Sequence, residues 1–407
     1  MKTVDILIEN VNEILTLKGK NQPRIKSEMK ELGIIKKGSI AIIDDRIIDI
    51  GRNLQYKAIK KINAKGKIVM PGFVDSHTHI VFSGSREFEL DMKLNGFSYM
   101  DILNKGGGIY YTVNKTRKSN IIDLIEQSKF RLNKMLEYGT TTCEGKSGYG
   151  LNLETELKIL KAQKILNESH PIDIISTFLG AHAIPNEYKI DDYVDLIIND
   201  MIPQVSKYSK FCDVFCEKGV FNVSQAKIIL NEGKKRGLIP KIHADEIVDT
   251  GGAALAAELK AISADHLLRS SKDGLKLMAK KGIIGVLLPA TPFSLMMKEY
   301  ANARYMIDNG IPVAIATDLN PNCWTESMQF IMQLACLNMK MTPAEAITAA
   351  TFNASCAIGE NNKIGSIEIG KQADIIILDC PNYMFIPYHF GINLVNTVIK
   401  KGKMINF

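Results

Sequence analysis

Eight short apolar runs, each ending in polar residues, occupy the middle of this 407-residue chain. They read KIVMPGFVDSH, GTTTCEGKSG, IDIISTFLGAH, FCDVFCEKG, LIPKIHADE, KAISADH, GIIGVLLPA and IPVAIATD. Their brevity and their richness in β-branched residues predict strands. The stretches between them, such as ELKILKAQKILNES, SQAKIILNEGKKRG and DGLKLMAKKG, show the apolar spacing of helices that bury one face. Eight alternating β and α units over residues 67–363 predict a (β/α)8 TIM barrel, with parallel strands inside and helices outside. The first unit is overlong, and residues 80–138 are expected to carry an extra loop around Gly106, Gly107 and Gly108.

The two ends read differently. VDILIEN, EILTL and GSIAIIDDRIIDIG near the start, and IGSIEIGKQADIIILD and NLVNTVIKKGKMINF near the finish, are β-rich runs without helices between them. A hairpin is expected to turn at Asp44, Asp45 and Arg46. Chain ends often lie close together, so residues 1–66 and 364–407 are expected to form one composite β-sandwich domain beside the barrel of residues 67–363.

Composition narrows the classes of function. The formal charge of +7 is spread along the chain, with no basic block interleaved with aromatics. That pattern speaks against nucleic-acid binding and leaves a mild bias toward small anions. The seven cysteines, an odd number without a C-x-x-C, fit reduced thiols and not a disulfide framework or a cysteine zinc site. The first residues lack a signal-peptide core, and no apolar run reaches the length of a membrane span. A cytoplasmic protein without a membrane partner is therefore expected.

Active sites of such barrels sit at the C-terminal ends of the strands. Five of the seven histidines fall there: His77 and His79 after the first strand, His182 after the third, His243 at the fifth and His266 at the sixth. Asp318 ends the eighth. His170 and His389 lie elsewhere and are read as packing or surface residues. Residues two apart on a strand share a face, so His77 and His79 project together. Any one of these histidines alone would be ordinary polar trim, but five on one rim make a site. Three imidazole nitrogens and a carboxylate suit Zn2+ and also accommodate Fe2+ or Mn2+.

PGFVDSHTH, the later histidines and the terminal Asp resemble the amidohydrolase superfamily, which joins this barrel to a β-sandwich built from both termini. Longer motifs are similar to those of its imidazolonepropionase family: SREFELDMKLNGFSYMDILNKGGGI, EGKSGYGL, TFLGAHAIP, DVFCEKGVF, IHADE, SADHLL and ATDLNP. The resemblance runs nearly the whole chain. It implies metal-assisted ring opening of 4-imidazolone-5-propanoate to N-formimidoyl-L-glutamate in histidine degradation, with one bound divalent ion, Zn2+ or Fe2+ (or Fe3+), and a homodimer. It places the metal on His77, His79, His243 and Asp318, and catalytic roles on Glu246, His266 and Asp318. Substrate contacts fall on Arg86, Tyr149, His182, Glu246, Asn320, Asn322 and Cys323.

Bottom-up chemistry agrees in part. A propanoate calls for a guanidinium, whose planar fork matches a carboxylate. An ion pair of Arg86 with the acids of the following EFELD is the plainer alternative. Glu246, three residues past His243, is placed to hold a ring nitrogen and pass a proton to it; its alternative is an acid at a helix start. His266 and Asp318 both remain as acceptors of the water proton. The chain departs from the family's D-x-N-P-G-(Ser/Thr) at Asn322 and Cys323, where left-handed backbone is expected at Asn322 and a weaker thiol contact at Cys323. The fourth strand ends in Cys216, Glu217 and Lys218, without a lysine placed to bridge a second metal. Two other readings stay open at this stage: an aminohydrolase that releases ammonia, and a metal-binding barrel without activity.

Overall fold

The computed structural model describes residues 2–97 and 99–406; Ser98, within the first long motif, lies outside them, as do Met1 and Phe407. The chain opens with β1 (Thr3–Leu15), β2 (Ile34–Ile43), β3 (Arg46–Gly51), β4 (Lys57–Asn63) and β5 (Ile68–Pro71). The hairpin between β2 and β3 turns at Asp44, with φ of 51°, and Asp45, and Ile43 pairs with Arg46. An acid at the turn tolerates the left-handed backbone that the tight reversal needs.

Eight parallel strands follow: β6 (Phe73–Asp75), β7 (Thr140–Lys146), β8 (Asp173–Ala181), β9 (Phe211–Cys216), β10 (Ile239–Ala244), β11 (Ser263–His266), β12 (Ile284–Leu287) and β13 (Val313–Ile315). They pair in chain order. An isolated parallel bridge from Thr78 to Leu319 joins the last strand to the first. Around it, Asp318 N donates to His77 O at 3.1 Å and His79 N donates to Leu319 O at 2.8 Å. The Asp75 carboxylate accepts from both Thr317 N and Thr317 Oγ1. The closure of the barrel thus passes directly beneath the histidines of the first strand.

Finally β14 (Ile375–Leu378), β15 (Val395–Lys400) and β16 (Lys403–Met404) return to the N-terminal strands. One branched mixed sheet results, in the order β16-β15-β14-β5-β1-β2-β3, with β4 on β1. Alternate residues bury Ile6, Ile8, Ile40, Ile42, Ile375 and Ile377 in a core separate from the barrel's.

Two sequence expectations change. KIVMPGFVDSH, read as one barrel strand, divides at Gly72: β5 pairs with β1 and β14 in the terminal sheet, and only β6 enters the barrel. Consecutive amides serve different sheets, Gly72 N donating to Asp374 O and Phe73 N to Gly139 O. A Cβ at residue 72 would meet the Thr141 side chain at 2.3 Å, so the step between sheets needs glycine. The expected extra loop over residues 80–138 is largely helical, with helices at Phe88–Leu94, Tyr99–Asn104 and Ile109–Lys118 before Ile121–Glu137. The glycine triplet is a helix junction: Gly106 and Gly108 have φ of 84° and 73°, and Gly108 N donates to Glu89 Oε1. The three quoted amphipathic stretches form helices at Leu153–Ser169, Val223–Lys235 and Lys272–Lys281.

Candidate active site

The mouth of the barrel gathers the expected side chains. His77, His79 and His243 offer nitrogen atoms within 4.8 Å of one another, and His77 forms a second such group with His266 and Asp318. Asp318 Oδ1 lies 3.5 Å from His77 Nε2 and 3.7 Å from His79 Nε2. Thr291 holds the other oxygen, donating to Asp318 Oδ2 at 2.6 Å. His77 Nε2 and His243 Nε2 are buried without any hydrogen-bond partner. Orphaned polar atoms in a sealed site are costly unless something binds them. A cation meets that need, and the donor set of three imidazoles and one carboxylate fits a divalent metal.

Beneath the rim, carboxylates set the histidines. His77 Nδ1 meets Asp265 Oδ2 at 2.7 Å. Burial alone would raise the pKa of Asp265, but Lys241 and Lys146 bring it below the usual range, so it stays ionised and accepts a hydrogen bond from Nδ1–H. That tautomer leaves the Nε2 lone pair of His77 pointing into the site. His243 Nδ1 lies 2.9 Å from Asp213 Oδ2, a close approach without hydrogen-bond alignment. Lys146 joins Asp213 at 2.6 Å, Glu144 at 3.0 Å and Asp265 at 3.2 Å, and Lys241 joins Glu144 at 2.6 Å. All five are fully buried. Burial opposes the charge of Lys146, yet its three carboxylates raise its pKa and keep it protonated.

Two backbone kinks aim the remaining groups. In a regular strand, Asp265 pointing inward would send His266 outward. His266 has φ of 73°, which swings its ring back to within 5.2 Å of the His243 ring. Asp318, with φ of 52°, is turned in the same way after Thr317 has faced Asp75. Left-handed backbone at non-glycine residues stores strain and gathers at functional sites.

Glu246 Oε2 stands 3.7 Å from His266 Nε2. Burial, then the charges of Asp318 and Glu217, push its pKa up to about 8, so the carboxyl is held protonated at neutral pH. It is not at a helix start. The next helix, Gly252–Leu259, begins later, and Asp245 serves it by accepting from Gly252 N and Ala253 N. Burial also lowers His77, His79 and His243 well below the usual range and His266 and His182 to about 4. All five are neutral, as metal ligation and proton acceptance require.

His182 stacks on His79 with ring centroids 5.0 Å apart. Its Nδ1 donates to Gly148 O at 3.1 Å, which makes Nε2 the acceptor facing the mouth. Gly148 has φ of 105°, and a Cβ there would meet the His182 ring at 2.9 Å. Tyr149 packs edge-on against both His79 and His182.

Arg86 is engaged. Its Nε and Nη2 donate to the two Glu89 oxygens at 2.7 and 2.8 Å, in a pair only 8% and 3% exposed. The alternative reading, an ion pair with EFELD, therefore exists, but buried at the mouth, where Arg86 lines a cavity of about 850 Å³ with Asn322 and Cys323. The turn at 320–323 is also self-contained. Asn320 Oδ1 accepts from Asn322 N and Cys323 N, and its Nδ2 donates to Asp318 O. Asn322 is not among the left-handed residues, so this turn does not need the family's glycine for its backbone. The Cys323 thiol is buried and faces Thr317 O at 3.6 Å.

Fold and site together define a metal-dependent hydrolase of the amidohydrolase class, and the amidohydrolase family model matches residues 68–405. The chain is 51% identical over 413 residues to an imidazolonepropionase of Alkaliphilus metalliredigens, covering 99% of this chain and 98% of that one. It is 51% identical over 414 residues to an imidazolonepropionase of Geobacillus kaustophilus, with 98% and 97% covered. The chain belongs to the imidazolonepropionase family. Among solved structures, a zinc-bound adenosine deaminase of Xanthomonas campestris shares the fold at a TM-score of 0.74 and 16% identity, covering 99% of this chain and 93% of that one. A triazine hydrolase variant does so at 0.74 and 15%, with 98% and 94% covered.

Sequence reasoning missed the carboxylates and lysines below the rim. The signal was present: Lys241 stands two residues before His243, and Glu144 two before Lys146, each pair sharing an inward face of an apolar strand. A charge at that spacing inside a barrel has to find a partner on another strand.

Proposed function

We propose that this chain hydrolyses 4-imidazolone-5-propanoate to N-formimidoyl-L-glutamate, breaking the bond between the ring carbonyl carbon and its ring nitrogen. The observation that carries this reading is the meeting of two orphaned imidazole nitrogens, on His77 and His243, with Asp318 beside a protonated Glu246. His77, His79, His243 and Asp318 hold one divalent ion, Zn2+ or Fe2+. Such an ion supplies an activated water at neutral pH and polarises the carbonyl.

The chain's own groups do the rest. The pair of His266 and Asp318, which meet around His77, takes one proton from the attacking water. Glu246 then gives its proton to the departing ring nitrogen, which a neutral carboxyl near the mouth is equipped to do. His182 Nε2 accepts from a ring N–H, and Tyr149 closes the aromatic wall beside it. Arg86 offers its remaining Nη1 edge to the propanoate, with Asn322 and Cys323 lining the same cavity and Asn320 holding their turn. All of these lie in the barrel unit, residues 67–363; the composite unit of 1–66 and 364–407 contributes none of them. Seven free cysteines, six of them buried, suit a reducing cytoplasm. No helix among the described residues is long and apolar enough to cross a membrane. We assign a homodimer as the working assembly, to be checked by sedimentation.

The experiment is incubation of the metal-loaded protein with imidazolonepropionate while ring absorbance, ammonia and formimidoylglutamate are followed together. Loss of the ring with formimidoylglutamate and no ammonia is expected. Ammonia release would make the chain a deaminase of the same class, and no turnover would leave a metal-binding barrel.

A further inference from the structure

Glu89 and Lys93 stand four residues apart on the helix Phe88–Leu94 and share one side of it, and Arg86, just before the helix, reaches Glu89 from there. Arg86, Leu90 and Lys93 line the same cavity as Asn322. Within this group the charges do not cancel. Glu89 takes Arg86 as a bidentate partner and also accepts from Gly108 N, so the Arg86–Glu89 pair is neutral as a unit. Lys93 Nζ instead donates to a neutral group, the Asn322 Oδ1 amide oxygen, at 2.9 Å. Among the described residues Lys93 makes no ion pair. Half-buried, it is the cation left without a carboxylate in ion-pair reach; Glu87 also lines the cavity but is exposed to solvent.

We infer that Lys93, oriented by Asn322, supplies the unpaired positive charge that selects the substrate carboxylate, with Arg86 acting as a fixed hydrogen-bond donor already balanced by Glu89. This assignment rests on the ring-opening reading above. Asn322 spans from the turn after Asp318 to the first helix of the mouth. It therefore ties the loop after β13 to the loop after β6 through the Lys93 ammonium. Burial lowers the pKa of Lys93, and the neighbouring Arg86 lowers it further against the pull of Glu89. A partly desolvated ammonium without an acid partner gains most from an incoming carboxylate.

The test compares Lys93→Met, Lys93→Arg and Asn322→Ala with wild type on two substrates: imidazolonepropionate and the same ring bearing a propanamide. Lys93→Met should raise KM for the carboxylate substrate by about ten- to hundredfold, with kcat within about twofold. KM for the propanamide should not change, and metal content should stay equal to wild type. Lys93→Arg should recover most of the loss, and Asn322→Ala should show a smaller KM rise confined to the carboxylate substrate. Equal losses on both substrates, an unchanged KM in Lys93→Met, or failure of Lys93→Arg to recover would overturn the assignment. Should wild type not consume imidazolonepropionate at all, the functional reading falls first and the assignment falls with it.

Discussion

Asp265 Oδ2 lies 2.7 Å from His77 Nδ1, and the two residues stand 188 positions apart in the chain, on β11 and just beyond β6. This contact fixes which nitrogen of His77 is free. Asp265→Asn removes the charge that holds the Nδ1 proton while preserving shape. Loss of such a supporting carboxylate typically costs about ten- to hundredfold in metal affinity. Competition titration with a chelator should find that loss, with turnover per bound ion far less reduced. An unchanged affinity would mean the contact serves packing only.

Glu246→Gln keeps the reach of the side chain without a transferable proton. General acid steps contribute about 10²–10⁴-fold, and kcat should fall within that range at unchanged metal content. The pH profile gives a second readout. Donation requires the protonated carboxyl, so activity should fall as pH rises through the pKa of Glu246, which stands at about 8 before a bound cation draws it down. In Glu246→Gln that alkaline fall should vanish. Its persistence would assign it to another group.

Arg86→Met leaves the buried Glu89 carboxylate without its partner. Stranding one member of a buried pair typically costs ~3–5 kcal/mol locally. The variant should lose thermal stability as well as kcat/KM, and Arg86→Met with Glu89→Leu should regain the stability but not the activity. If the double variant regained activity too, Arg86 would have no part in substrate binding.

Removal of the metal should lower the melting temperature. A ligand at a free concentration of about 1,000 times its Kd stabilises the native state by ~4 kcal/mol. Chelator-treated protein should melt lower by calorimetry and recover on readdition of Zn2+. Equal melting with and without the ion would contradict a site built from orphaned imidazoles.

The rim histidines were legible because strand alternation is a local rule: H-x-H must project two rings together. The barrel was legible because its strands and helices recur with the spacing of one crossover unit. What could not be read were relationships between strands. Asp265 beneath His77, Lys146 among three carboxylates and Lys93 on Asn322 each join residues far apart in the chain. The split at Gly72 was hidden too, since an apolar run looks the same whether one sheet or two receive it. His266 was placed on the rim correctly, although regular alternation after Asp265 would point it away; its left-handed backbone is a tertiary effect.

The central claim is that water opens the ring at its carbonyl and that both nitrogens stay in the product. Turnover of imidazolonepropionate in H2(18)O, read by mass spectrometry, tests it most directly. The account predicts formimidoylglutamate carrying one solvent oxygen in its new carboxylate, with no ammonia formed. A product that keeps the ring and has exchanged a nitrogen for solvent oxygen, with ammonia released in equal amount, would contradict it.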